Sequence, residues 1–171
     1  RKGLMQRKAI LLDINNLPGN ESLKQRQVIL LADSFNASYS VEVLLAAYDI
    51  QQKFGYEVLV ARLPGNGKAK HVKGFRDRFK RQAADQVKQL QRLAATNLPL
   101  LSVEVVTRLM HDKEYADVLQ ETPDYRVWSI EHWLATRFGQ GDIQIPGNSD
   151  NLANADYLLL PHCMEQTADR Q

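Results

Sequence analysis

Gln27-Val28-Ile29-Leu30-Leu31-Ala32-Asp33-Ser34-Phe35-Asn36 holds an apolar run that stops at polar, turn-favouring residues. A short apolar run without alternation is the pattern of a strand covered on both faces, as in a parallel sheet between two helical layers. Outward from it, strand and helix signals alternate. Ser40 is the expected N-cap of a helix with Glu42 in its first turn and Val43, Ala47, Ile50 and Phe54 on one face, stopped by Gly55. Residues 56–61 read as a second strand, ending in the Pro64-Gly65-Asn66-Gly67-Lys68 loop. Residues 73–96 read as one long helix, with Phe75, Phe79, Ala83, Val87, Leu90 and Ala94 at steps of three and four. A third strand (98–103), a helix (105–120), a fourth strand (125–130), a short helix (131–138) and a fifth strand (156–160) complete the series.

This alternation predicts right-handed βαβ crossovers and an α/β fold: a three-layer, Rossmann-like open sheet, mostly parallel, of about five strands. Residues 1–26 read as a lead-in arm that packs on a neighbouring domain, and residues 27–171 as the α/β domain, truncated at its C-terminal side. Ligands of such sheets bind beyond the carboxyl ends of the strands, near a topological switch point. That edge is expected to carry Asp33, Ser34, Asn66, Lys68, His71, Glu104, His132, His162 and Cys163.

The 171 residues fit one domain able to bury roughly 70% of its unfolded surface, so neither a disulfide nor a metal is needed for folding. A single cysteine excludes an internal disulfide, and no apolar run approaches the length of a membrane span. With no signal segment visible, the cytoplasm is the expected compartment, with a peripheral position at the inner face of the membrane as a second placement. A first residue of Arg1 instead of Met suggests a piece of something larger. The net charge of +2 conceals a split: residues 1–103 hold 17 Lys/Arg against 8 Asp/Glu, and residues 104–171 hold 5 against 12. Such a division suits a polar docking surface.

The motifs narrow the chemistry. Gly67-Lys68 lacks the frame of a phosphate loop, because Ala69 follows the lysine and no glycine stands at the earlier position; no Gly-x-Gly-x-x-Gly follows the first strand either. Lys68 to Arg81 holds 7 Lys/Arg with only Asp77 opposing, but Phe75 and Phe79 fall on the apolar stripe, so nucleic acid is not the expected partner. His71, His111, His132 and His162 are scattered, without the i, i+4 spacing of a helical zinc site, and the first three read as surface or loop histidines. Cys163, after Leu158-Leu159-Leu160-Pro161-His162, is either a small core hydrophobe or one ligand of a metal group completed elsewhere, since an iron–sulfur cluster usually takes four cysteines.

Two segments carry a family resemblance. Asn66-Gly67-Lys68-Ala69-Lys70-His71-Val72-Lys73-Gly74-Phe75, with Phe79, resembles an Asn-Gly-Lys-x-x-His-x-x-Gly-Phe-x-x-x-Phe segment of large FAD-linked oxidases with a C-terminal iron–sulfur part. Leu160-Pro161-His162-Cys163-Met164-Glu165-Gln166-Thr167 resembles the His-Cys-Thr-Glu-x-Thr signature that opens their cysteine-rich half. Asp112-Lys113-Glu114-Tyr115 and Glu131-His132-Trp133-Leu134 resemble further family segments in the same order. The chain thus resembles the C-terminal, Cys-Cys-Gly-type region of the D-lactate, glycolate and D-2-hydroxyglutarate dehydrogenases.

The resemblance implies a part of an oxidoreductase that oxidises a D-2-hydroxy acid with FAD and passes electrons through 4Fe-4S clusters. The FAD and ferredoxin-like domains would lie upstream as its partners, beside an electron acceptor. Cys163 would be the first thiolate of a cluster set completed beyond Gln171, and His162 a residue on the electron path. No catalytic or cofactor-binding residue is expected in the chain itself, nor any bound cofactor. It would serve electron relay or docking and be inactive alone. Glu104-Val105 and Met164 depart from the family pattern, which otherwise has Asp-Pro and Thr at these places. The alternative is a non-catalytic α/β module whose basic helix binds a partner protein or nucleic acid.

Overall fold

The computed structural model describes residues 2–17 and 26–144. In chain order these form α1 (Lys2–Gln6), β1 (Ile10–Leu12), β2 (Gln27–Ala32), α2 (Asn36–Tyr39), α3 (Val41–Lys53), β3 (Glu57–Arg62), α4 (Lys68–Val72) and α5 (Arg76–Ala94). After these come β4 (Leu100–Ser102), α6 (Val105–Leu109), a π-helical turn (Met110–Glu114), α7 (Tyr115–Leu119), β5 (Val127–Ser129) and α8 (Ile130–Gly139). The five strands line up as β1-β3-β2-β4-β5, every pairing parallel.

The apolar run at 28–32 is the centre of this sheet, and all six residues of β2 are buried. Successive strand residues face opposite layers. Val28, Leu30 and Ala32 pack with Leu44, Ala47 and Tyr48 of α3 and Ile130 and Trp133 of α8. Ile29 and Leu31 pack with Leu90 and Leu93 of α5 on the other side. A satellite cluster joins Phe79 and Ala83 of α5 to Met110, Tyr115 and Val118. The expected α/β architecture forms, a parallel sheet between two helical layers; four of the expected strands are among its five, and β1 is the other.

Several expectations need correction. The stretch read as an arm contributes Leu4 to the core and Ile10–Leu12 to the sheet as an edge strand, paired with residues 49 positions later at Ile10↔Leu59. The strand expected at 156–160 lies outside the described residues. The long helix starts later than expected, at Arg76: Gly74 takes φ +75° and Phe75 a non-helical ψ, so Phe75 is half exposed instead of lying on the buried stripe, and the short α4 precedes it as a helix of its own. On α3 the buried face is Leu44, Ala47, Tyr48 and Gln51, one residue round from the expected set; Val43 and Ile50 are exposed. Ser40 precedes α3 without a side-chain cap bond.

Candidate functional site

From β2 the chain passes to β3 on one side, then crosses to β4 on the other, so the topological switch lies between the carboxyl ends of β2 and β4. Asp33 and Glu104 flank it. Asp33 is buried, and its Oδ1 accepts from the backbone N–H of Phe35 (2.8 Å) and Asn36 (3.0 Å) while Oδ2 accepts from Asn36 Nδ2 (2.7 Å). It therefore starts α2, as aspartate does when its side chain takes the free N–H groups of a first turn. Burial, and then the charge of Asp33, raise the Glu104 carboxyl above the ordinary range, with the Thr107 hydroxyl working the other way. Ser34 is exposed and lies against the neighbouring loop: a Cβ on Gly65 would come within 3.2 Å of its Oγ.

Asn66, Lys68 and His71 do converge, and residues of the π-helical turn and α7 hold them. The Lys68 ammonium pairs with Glu114, His71 Nε2 lies 3.6 Å from the other Glu114 oxygen, and the Tyr115 hydroxyl donates to the Asn66 carbonyl at 2.6 Å. Asn66 Oδ1 accepts from the Lys68 backbone N–H (3.1 Å), and the His71 ring rests 4.5 Å from that of Phe79. From α5, Gln82 donates to the Gly65 carbonyl and Gln86 to that of Pro64 (2.6 Å). With its lysine neutralised and three of its carbonyls occupied, this loop is a clamped connection and not a phosphate cradle.

His132 stands apart at the start of α8, its ring 5.6 Å from Trp128. His162 and Cys163 lie outside the described residues. Among the described residues no three His, Cys, Asp or Glu side chains converge as a metal site, so no step through an iron–sulfur group is assigned to them. His111, expected at the surface, is buried: its Nδ1 shares a hydrogen bond with the Tyr125 hydroxyl at 2.8 Å, and desolvation pushes its pKa down to about 3. Glu114, Tyr115 and the two glutamines carried no expected role. Gln86 could have been noticed, because it interrupts an apolar stripe at a core position.

The second surface feature is the outer face of α5 together with Lys70 of α4. Lys70, Arg78, Arg81, Lys88 and Arg92 line an open groove of about 780 Å³, with Asp85 the sole acidic residue in the lining. Lys70 bonds the Gln82 amide and Arg92 the Asn15 amide (3.0 Å); among the described residues none of the five has a carboxylate within 4 Å.

The class defined so far is a three-layer α/β domain with a clamped carboxyl-edge loop and a cationic groove. Comparison with known proteins specifies the family. The chain is 32% identical over 145 residues to a D-2-hydroxyglutarate dehydrogenase of Haemophilus influenzae, covering 82% of this chain and 14% of that protein. It is 28% identical over 150 residues to that of Pantoea ananatis and 27% identical over 150 residues to that of Escherichia coli, in each case 87% of this chain and 14% of the relative. The chain therefore belongs to the D-2-hydroxy-acid dehydrogenase family, as the motif resemblance implied, and spans about one seventh of the length of the curated relatives it matches. No family model matches it, and no solved structure does. No helix among the described residues is long and apolar enough to cross a membrane.

Proposed function

We propose that the chain is an electron-relay or docking part of a larger D-2-hydroxy-acid dehydrogenase, inactive alone. In this reading an FAD domain and ferredoxin-like 4Fe-4S clusters elsewhere in the polypeptide oxidise the substrate and collect its electrons. D-2-hydroxyglutarate is the substrate to try first, being the one in the relatives' names. Cys163 would then contribute to a cluster completed by cysteines from outside the chain. The place of work is the cytoplasm, with a peripheral position at the inner membrane face compatible with the basic surface.

The observation that carries the docking role is the α5 groove, where five cations face a single aspartate. Uncompensated like charge on an open surface steers an oppositely charged partner and makes association depend on salt. The partner in this reading is an acidic electron acceptor or the acidic face of another domain. In the complete enzyme, Arg78→Glu, Arg81→Glu and Lys88→Glu together should lower turnover with the natural acceptor about tenfold or more, a loss of at least ~1.4 kcal/mol, and leave turnover with a small uncharged dye unchanged. Unchanged turnover with the natural acceptor would sink the docking role. Iron analysis and a visible spectrum of the complete enzyme test the cofactor half, where flavin bands without iron–sulfur absorbance would count against clusters.

One observation favours the second reading, a binding module. Phe75 is half exposed, and the Arg78 guanidinium lies 5.6 Å from its ring centre, which places an aromatic beside the basic stripe. Salt-sensitive binding of single-stranded DNA by the complete protein would support that module.

A further inference from the structure

The sheet is covered unevenly. Every residue of β2 is buried, whereas the consecutive Ile10 and Leu11 of β1 remain 46% and 42% exposed. Consecutive strand residues point to opposite faces, so neither face of β1 is fully covered, although Leu12 packs against the cluster of Leu90 and Leu93. Among the described strands β1 pairs with β3 alone, which leaves its outer backbone edge open as well. Next to it Leu4, Leu11, Ala32, Ala37, Val41 and Leu44 wall an apolar crevice of about 50 Å³, room for one small apolar group, and Arg62 completes the lining. Arg62 has no carboxylate within 4 Å among the described residues. At the two ends of the helix that contributes Ala37, the rings of Phe35, just before it, and Tyr39, its last residue, lie 5.4 Å apart and are part of residues 56% and 78% exposed.

An open strand edge with apolar side chains on both faces invites pairing unless something covers it. The adjoining features suit polypeptide: main-chain hydrogen bonds for the edge, a pocket for one apolar side chain, aromatic anchors and a guanidinium with no carboxylate partner among the described residues. We propose that this edge docks another part of the same polypeptide, which adds an extended segment to β1, seats a small apolar side chain in the crevice and sets a carboxylate against Arg62.

The occupant follows from length and charge. The chain matches its relatives over 14% of their length, so most of a dehydrogenase lies beyond it. A two-fold contact between copies is the poorer fit, because the crevice lining offers no carboxylate to the other copy's Arg62. The inference rests on the reading of the chain as one part of a longer dehydrogenase.

The test places the photo-reactive residue p-benzoylphenylalanine at Tyr39 in the complete gene product, as an equal mixture of ¹⁴N- and ¹⁵N-labelled protein, with linked peptides sequenced by mass spectrometry. The expected product joins position 39 to a peptide of the same molecule outside residues 1–171. Leu11→Glu, at a half-exposed site, should lower its yield about tenfold while circular dichroism shows the fold unchanged, as for loss of one anchoring side chain at an interface. A link within residues 1–171, a link between light and heavy copies, no link, or a yield indifferent to Leu11→Glu would each overturn the proposal. Because the readout is a peptide and not turnover, failure here leaves the dehydrogenase reading standing. A complete gene product without further polypeptide would remove both.

Discussion

The hydroxyl of Tyr115 reaches the backbone carbonyl of Asn66 at 2.6 Å, tying the first residue of α7 to the loop that leaves β3, 49 positions earlier in the chain. Tyr115 is buried, and desolvation raises its pKa, so the phenol stays protonated and donates. Beside it, Glu114 holds Lys68. The helical segment and the loop therefore form one unit at the carboxyl edge of the sheet.

Tyr115→Phe removes the donor and leaves the Asn66 carbonyl without it, at a cost of about 1–2 kcal/mol for a partly buried acceptor. Urea unfolding followed by tryptophan fluorescence should show a lower midpoint with an unchanged slope. An unchanged midpoint would mean that the bond contributes nothing net.

Acid sensitivity should come in part from His111. Its folded pKa, about 3, lies below the ordinary 6.5, so the unfolded chain binds a proton that the folded chain refuses. Stability is then full above about pH 6.5 and falls on acidification from there toward pH 3, by up to about 1.4 kcal/mol per pH unit. A His111→Gln variant should show a flatter dependence of its unfolding midpoint over that window.

Glu104 works in the opposite direction. Its carboxyl is raised by burial and by Asp33, so the folded state holds its proton more tightly and loses stability as pH rises through the carboxylate range. Glu104→Gln should be more stable than the parent at pH 7, and the difference should vanish at acidic pH. Equal gains at both pH values would point to packing instead of charge.

Two glycines allow a graded backbone test. Gly74 (φ +75°) has nothing within 4 Å of an added Cβ, so Gly74→Ala should cost only the left-handed backbone penalty, about 1 kcal/mol. At Gly67 (φ +81°) the new Cβ would also lie 3.1 Å from Phe79, a fully buried ring, so Gly67→Ala should lower the melting temperature more. Equal losses would show that Phe79 yields freely.

Much of the fold was legible because strands covered on both faces write themselves as short apolar runs, as at residues 28–32. The β1 strand was not, since three residues beside a basic cluster resemble any loop until β3 is there to pair with. The buried face of α3 was misjudged because Val43, Leu44, Leu45, Ala46 and Ala47 are apolar all round, and period alone cannot choose between adjacent stripes. Asn66, Lys68 and His71 were placed at the carboxyl edge of the sheet by the strand–helix alternation, but Glu114 and Tyr115 were not assigned to them, because a contact across more than forty positions leaves no mark on local pattern.

The succession of apolar runs, helix periods and turn residues was enough to determine a parallel α/β sheet between two layers, and the motif order was enough to place the chain among D-2-hydroxy-acid dehydrogenases. Folding decided which charges meet and which stay free: Lys68 is neutralised by Glu114, while Arg78, Arg81 and Lys88 have no described carboxylate partner. It also decided that His111 is buried and neutral, and that β1 is left partly exposed on both faces. Local pattern reports the period of burial, whereas pairing, desolvation and the edges of a sheet depend on which distant residues arrive beside a side chain.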